Sequence, residues 1–412
     1  MTQPSAILEP RQAAKPPAEE EFIAVNEMRL SPRQWLLALA IVAAVLLATP
    51  RIWKMIERVE TGPDYRIPYR LSYDYWLCQR RLERDADPSK IIILGDSVIW
   101  GEYVSRDGTL SHFLAQETHR PGEFLNAGVN GLFPLAMEGL VEHYAPSLRG
   151  RKIILHCNPL WLTSPKADLS TDREETFNHS RLVPQFRPRI PCYKADANER
   201  LSVLIERNVG FSAWVGHLQN AGFDQRSIPA WTLKQEGEPP RCPNAWRNPL
   251  ARITLDVPTE GKHDPLRGPA SFRHKPWWLE SISIYFAPWC ITWFNVEAAP
   301  TSFDWVSLDA SLQWAAFRRT IRLLRDRGDN VLVIVGPFNE HMIAPDQRPT
   351  YGKLRDGVVA WLAQNRIPCI VPDLLASALY ADASHPLTDG YALLARQICK
   401  SQVFQSWIGS KP

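Results

Sequence analysis

The sequence predicts an α/β fold: a five-stranded parallel sheet with helices on both faces, behind one apolar helix near the N-terminus. Three observations lead there. From Ile91 onward, short aliphatic runs alternate with amphipathic segments, the pattern of successive βα units. The runs are almost continuously apolar, as expected of strands buried on both faces. Finally, the stretch Trp35-Leu36-Leu37-Ala38-Leu39-Ala40-Ile41-Val42-Ala43-Ala44-Val45-Leu46-Leu47-Ala48 carries no charge, and with its flanks it approaches the ~20 residues that cross a bilayer.

Taken in order, residues 1–33 are rich in Pro, Ala, Gln and Glu without apolar periodicity, and read as a disordered tail. Residues 34–53 read as a transmembrane helix, apolar on every face, with Trp35 and Trp53 suited to the two interfaces. The apolar run gives way to Thr49-Pro50-Arg51, not to a small-residue cleavage site. Residues 54–89 form a connecting helical segment. Ile91–Leu94 is the first strand, 109–119 a helix opened by Thr109, Phe124–Asn126 the second strand, and 134–147 a helix beginning at Pro134. Lys152–His156 is the third strand. Residues 165–305 then break the alternation with many prolines and with Trp277-Trp278, Trp289 and Trp293. A structureless loop of that length is foreign to a compact domain, so this is an inserted subdomain. The alternation returns in residues 306–412. Ser307 caps an amphipathic helix to about Arg327, with Gly328 at its end and Arg318, Arg319, Arg322 and Arg325 on its solvated face. Val331–Val335 is the fourth strand, 350–365 a helix, Cys369–Val371 the fifth strand, and a final helix runs from about Asp389 to Trp407. Residues 90–164 and 306–412 are thus two parts of one domain.

Composition bounds the function. A formal net charge of +3 gives no broad basic field, so nucleic acid is not an expected partner. The seven cysteines show no CxxC and no metal-ligand spacing; no metal is expected, and the disulfide state stays open. Arg29 and Arg33 precede the apolar helix, and Arg51, Lys54 and Arg58 come after it. By the positive-inside rule this leans toward a cytoplasmic body.

In an open α/β sheet, ligands bind beyond the carboxyl ends of the strands. Four features collect there. Ile93-Leu94-Gly95-Asp96-Ser97 places a hydroxyl and its own N–H just past the first strand, where a nucleophile can be exposed. Asn126-Ala127-Gly128-Val129-Asn130-Gly131 ends the second strand, and its glycines let an N–H aim at a developing oxyanion. His156-Cys157-Asn158-Pro159 ends the third strand, with Asn158 as an amide donor. Asp382-Ala383-Ser384-His385-Pro386 precedes the last helix, giving a general base and a carboxylate to orient it. Each element alone is an ordinary turn; their order at one sheet edge carries the argument. His341, after the fourth strand, is a candidate substrate contact, and the Trp-rich insertion offers rings on which a sugar could stack.

Over roughly residues 90–160 and 305–405 the sequence resembles the SGNH (GDSL-type) hydrolases. The matching blocks are Gly95-Asp96-Ser97, Asn126 to Gly131 and Asp382-x-x-His385-Pro386. The resemblance implies a three-layer, flavodoxin-like fold, with Ser97 as nucleophile, Asp382 and His385 completing a triad, and Gly131 and Asn158 as oxyanion partners. It implies no cofactor. One block departs: the family reads Gly-x-Asn-Asp where this chain reads His156-Cys157-Asn158-Pro159, and proline has no N–H to donate. The expected function is a membrane-anchored serine esterase acting on ester-linked acyl groups of a small molecule or a cell-envelope glycan. Two alternatives are an O-acyltransferase to a polysaccharide with the same triad, and a non-catalytic SGNH-like module for glycan binding or envelope assembly. The envelope reading requires an exoplasmic body, and is preferred over the lean of the charges.

Overall fold

The computed structural model describes residues 30–59, 62–85, 87–222 and 300–410. Helix α1 runs Pro32–Ile56. Its 25 residues span about 37 Å at 1.5 Å per residue, so it is long and apolar enough to cross a membrane. The large apolar side chains from Trp35 to Leu47 are exposed. The chain divides between Ala48 and Thr49, and the body from Thr49 onward carries the sheet.

The strands are β1 (Ile91–Gly95), β2 (Phe124–Gly128), β3 (Lys152–Cys157), β4 (Asn330–Val335) and β5 (Cys369–Ile370). All pair in parallel, in the order β2-β1-β3-β4-β5. Ile91 sits opposite Phe124 on one side and Lys152 on the other, so β1 lies inside the sheet. Every residue of β1 is buried, which is why its aliphatic run is unbroken.

Alternate strand residues feed two cores, as a two-residue period requires. Ile92, Leu94, Ile153, Leu155, Val331 and Val333 enter one core. They meet α2 (Tyr75–Arg84), α5 (Pro134–Tyr144), α8 (Leu312–Asp326) and α9 (Arg348–Gln364) there. Ile91, Ile93, Ile154, Leu332 and Ile334 enter the other. There they meet α3 (Ser97–Trp100), α4 (Leu110–Glu117), α10 (Thr388–Lys400) and α11 (Gln402–Gly409).

Two expected boundaries are corrected. The cap of α8 is Ser311, which accepts from Trp314 N at 2.9 Å. Ser307 lies one turn earlier, where its carbonyl accepts from Ala310 and Ser311. The last helix is two helices: the chain turns extended at Ser401 (ψ 129°) between α10 and α11. Arg319 is also no mere solvated residue. It grips Glu138 of α5 through Nε and Nη2 at 2.6 and 2.7 Å, a two-pronged pair that ties α8 to α5.

Of the expected insertion, residues 165–222 and 300–305 are described; Trp277, Trp278, Trp289 and Trp293 lie outside the described residues. Residues 165–192 join the main core, contributing Leu169, Leu182, Val183, Ile190 and Cys192. Asp168 accepts from the N–H groups of Leu312 and Gln313 at 3.1 Å each, and so completes the cap of α8. Beyond them, α6 (Ala197–Asn208) begins with a capping box of Asp196 and Glu199, and α7 (Gly210–Ala221) packs on α2. The five described cysteines are free thiols.

Candidate active site

Ser97 opens α3 at the carboxyl end of β1. Asp96 caps that helix by accepting from Val98 N at 3.0 Å. The short helix fits against the sheet only because two glycines lack side chains. A Cβ on Gly95 would lie 2.4 Å from Ile99 Cγ1, and one on Gly128 2.2 Å from the backbone nitrogen of Trp100. Asn126 fastens the same junction, donating to Ile99 O at 2.8 Å and accepting from Gly128 N at 3.0 Å.

The structure brings Ser97, His385 and Asp382 together. Ser97 Oγ lies 2.7 Å from His385 Nε2, and His385 Nδ1 lies 2.8 and 2.7 Å from the two oxygens of Asp382. Asp382 Oδ1 also accepts from the N–H groups of Ser384 and His385, at 2.9 Å each. These bonds fix the carboxylate under the imidazole and leave Nε2 facing the hydroxyl. Burial disfavours the Asp382 charge, yet the His385 imidazole and the donated N–H groups hold its carboxyl below the usual range. For His385 burial opposes the charged form, and the carboxylates of Asp382, Glu102 and Asp96 outweigh it, lifting the imidazole to about 9.

No protein-family model matches this chain, and no curated protein matches it.

Asp96 is the organiser of the strand ends. Burial works against its charge, while His156 and Asn158 hold its carboxyl below the usual range. Its Oδ2 accepts from Asn158 Nδ2 at 2.8 Å and from Trp161 Nε1 at 3.1 Å, and its Oδ1 lies 3.2 Å from His156 Nδ1. Asn158 thus reaches the expected edge, but one of its two amide hydrogens is committed to Asp96, and its oxygen caps the next turn through Leu160 N at 3.0 Å. Pro159 opens that turn, where a missing N–H costs nothing.

Gly131 takes φ +71°, and a Cβ there would lie 2.2 Å from Asn178 Nδ2. Both facts reserve the position for glycine. It borders a shallow cleft whose walls include Phe133, Leu169, Phe177 and Val183. His341 is not brought to this cluster. It is exposed, and its Nε2 lies 3.2 Å from Leu375 O.

Three contributors carried no motif. Glu102 Oε2 stands 3.6 Å from His385 Nε2. Tyr103, at φ +69°, sets its ring edge-on to His385 with centroids 5.4 Å apart; a tyrosine in the left-handed region is a strained residue beside the site. Buried Arg66 steadies this loop, donating to Trp100 O at 2.8 Å and to Val104 O at 2.7 Å, with its guanidinium 4.3 Å from the Trp100 ring centroid. A signal existed only for the neighbouring stretch: Gly101, at φ +84°, ends α3 as glycine does. Among the described residues no group of three or more His, Cys, Asp or Glu side chains could hold a metal ion.

Proposed function

We propose that the chain is a membrane-tethered serine esterase that works through an acyl-enzyme on Ser97, on ester-linked acyl groups of a cell-envelope glycan. The observation that carries this is the unbroken hydrogen-bond chain Ser97–His385–Asp382 at the carboxyl end of β1. Its members face one another as nucleophile, base and orienting carboxylate must. In the first step Ser97 Oγ bonds to the ester carbonyl carbon as its proton passes to His385 Nε2. The tetrahedral oxyanion meets the N–H groups of Ser97 and Gly131, with the remaining amide hydrogen of Asn158 as a third donor. The C–O bond to the leaving alcohol then breaks, and His385 returns the proton to that alcohol. Water closes the cycle by the reverse proton path. The apolar cleft beside Gly131 has walls suited to the acyl chain.

The strand order 2-1-3-4-5, with a core on either face, supports a three-layer, flavodoxin-like arrangement interrupted by residues 165–305. Helix α1 supports a single-pass tether, and a glycan substrate puts the body on the exoplasmic side. The test is hydrolysis of an activated short-chain ester by the full chain in detergent. Ser97→Ala is expected to lower kcat/KM by on the order of 10⁴-fold or more, and equal turnover by the variant would sink the assignment.

A further inference from the structure

An amide stands against the open face of Gly131. A Cβ on that glycine would lie 2.2 Å from Asn178 Nδ2. A residue's Cβ and its own nitrogen are about 2.5 Å apart, so Nδ2 lies at most about 4.7 Å from the Gly131 nitrogen. Both residues line the same shallow cleft. Asn178 is fixed from behind. Its Oδ1 accepts from Tyr73 OH at 2.9 Å, and the Tyr73 ring lies against that of His179 with centroids 4.6 Å apart. His179 holds the other side of this junction, donating from Nε2 to Asn130 O at 2.7 Å while its Nδ1 meets Tyr75 OH at 3.0 Å. With Oδ1 turned to Tyr73, Nδ2 is the end of the amide that faces Gly131.

The other polar groups of the cleft are engaged or lie in the open. Lys166 and Glu175 pair with each other at 2.6 Å. Gln313 spends both ends of its amide on backbone, at Leu135 N and Ala167 O, and Thr176 is exposed. Asn178 Nδ2 has no hydrogen-bond partner among the described residues. Solvent meets such a donor until a chain fills the cleft. A plain hydrocarbon chain then leaves it unmet, whereas a chain carrying an oxygen at that depth satisfies it. We propose that Asn178 sets the acyl specificity, donating from Nδ2 to an oxygen two or three carbons from the ester carbonyl carbon, so that short oxygen-bearing acyl groups are taken over hydrocarbon ones.

The inference rests on the acyl-enzyme reading, with Gly131 as an oxyanion donor, and names the acyl groups that reading admits. When the carbonyl oxygen meets the Gly131 N–H, the acyl chain enters the cleft past Asn178, and its ether, hydroxyl or oxo oxygen accepts from Nδ2. The covalent steps are unchanged. The acyl carbon bonds to Ser97 Oγ, the alcohol leaves with the proton from His385, and water releases the acid. Asn178 makes and breaks no bond in the reaction; it selects what is carried.

The test uses the full chain in detergent with p-nitrophenyl 3-methoxypropanoate and p-nitrophenyl pentanoate, which differ by an ether oxygen in place of a methylene. Each kcat/KM is divided by the ester's spontaneous hydrolysis rate, which removes the inductive effect of the oxygen. The wild type is expected to favour the ether ester by about tenfold or more. Asn178→Leu, which keeps the size and loses the donor, and Asn178→Asp, which keeps the acceptor for Tyr73, are each expected to bring the ratio to unity or below. If one variant loses cooperative unfolding the other decides, and if both do the wild-type ratio decides alone. A wild type without the preference overturns the assignment. So does a folded variant that slows both esters equally and keeps the ratio, since Asn178 would then serve the oxyanion and not the chain. Turnover of neither ester above the Ser97→Ala background would instead remove the acyl-enzyme reading, and this specificity with it.

Discussion

At His385, three carboxylates converge from separate segments: Asp382 on its own loop, Asp96 at the end of β1 and Glu102 after α3. The Tyr103 ring and the Ser384 hydroxyl complete its surroundings, the latter 3.5 Å from Nδ1. Burial alone would make this ring reluctant to charge, yet the carboxylates lift it to about 9. On the proposed acyl-enzyme mechanism the general base must be neutral to accept the serine proton, so the imidazolium would be the inactive form. Activity should therefore rise with pH and level off near 9. Measured kcat/KM for an activated ester between about pH 6 and 10 should show that limb, and a plateau already reached by about pH 7 would contradict it. Ser97, Asp382 and His385 were candidates in the sequence because Ser97 stands in a short block at the end of β1 and the other two in a short block just before α10. Glu102, Tyr103 and Arg66 were not. A glutamate in Gly101-Glu102-Tyr103 has no spacing that marks it, and its role exists only once Arg66 and Ser97 have folded its loop against His385.

The junction of α3 with the sheet puts the same dependence at the level of elements. Gly128 touches the Trp100 backbone, which cannot swing away as a side chain can. Gly128→Ala should cost roughly 1–3 kcal/mol by overpacking and displace Ser97, read as a lower Tm together with loss of the proposed esterase activity. Gly210→Ala, at the start of α7 with nothing within 4 Å, should leave Tm unchanged or slightly raised. Equal effects at the two positions would refute the packing account. β1 was legible from its aliphatic run alone, because full burial leaves no polar residue in it; β5 was read one residue too long, since it ends at Ile370 and Val371 is exposed. The start of α8 was not legible, since Ser311 is chosen over Ser307 by Asp168, which arrives from 143 residues away. Nor was the break at Ser401, where neither Gly nor Pro stands. The bend lets α11 bury Phe404 and Trp407 and sets Trp407 Nε1 2.8 Å from Asn330 Oδ1, a tertiary gain that outweighs local helix continuity.

Across the whole body, distant segments are joined by a buried charge. His217 of α7 lies between Glu57, just past α1, and Asp74, the cap of α2, with N–O distances of 2.6 and 2.8 Å. Burial again opposes its charge, and the two carboxylates lift it to about 9. Glu57 falls to about 2 despite burial, through His217 and the indoles of Trp76 and Trp53. For Asp74 burial wins and its carboxyl rises. A histidine raised from an unfolded value near 6.5 stabilises the fold fully below that pH and loses the contribution as pH climbs through about 9. His385 is raised likewise, so the diagnostic is a difference. The wild-type Tm should fall more steeply between about pH 7 and 9.5 than that of His217→Gln, and parallel curves would remove His217 from the account. None of this was legible in sequence. The α/β alternation implied parallel strands, but three residues from α1's end, α2 and α7 become partners only through the packing of the folded body.

Asp96 sits between all of these levels. One carboxylate takes the indole of Trp161, the amide of Asn158 and the N–H of Val98, with His156 alongside. The blocks at 96–98 and 156–161 are thus one bonded unit, and a change of side chain in either is felt in the other. What departs from a pattern when the blocks are compared singly is self-consistent when they are taken as that unit.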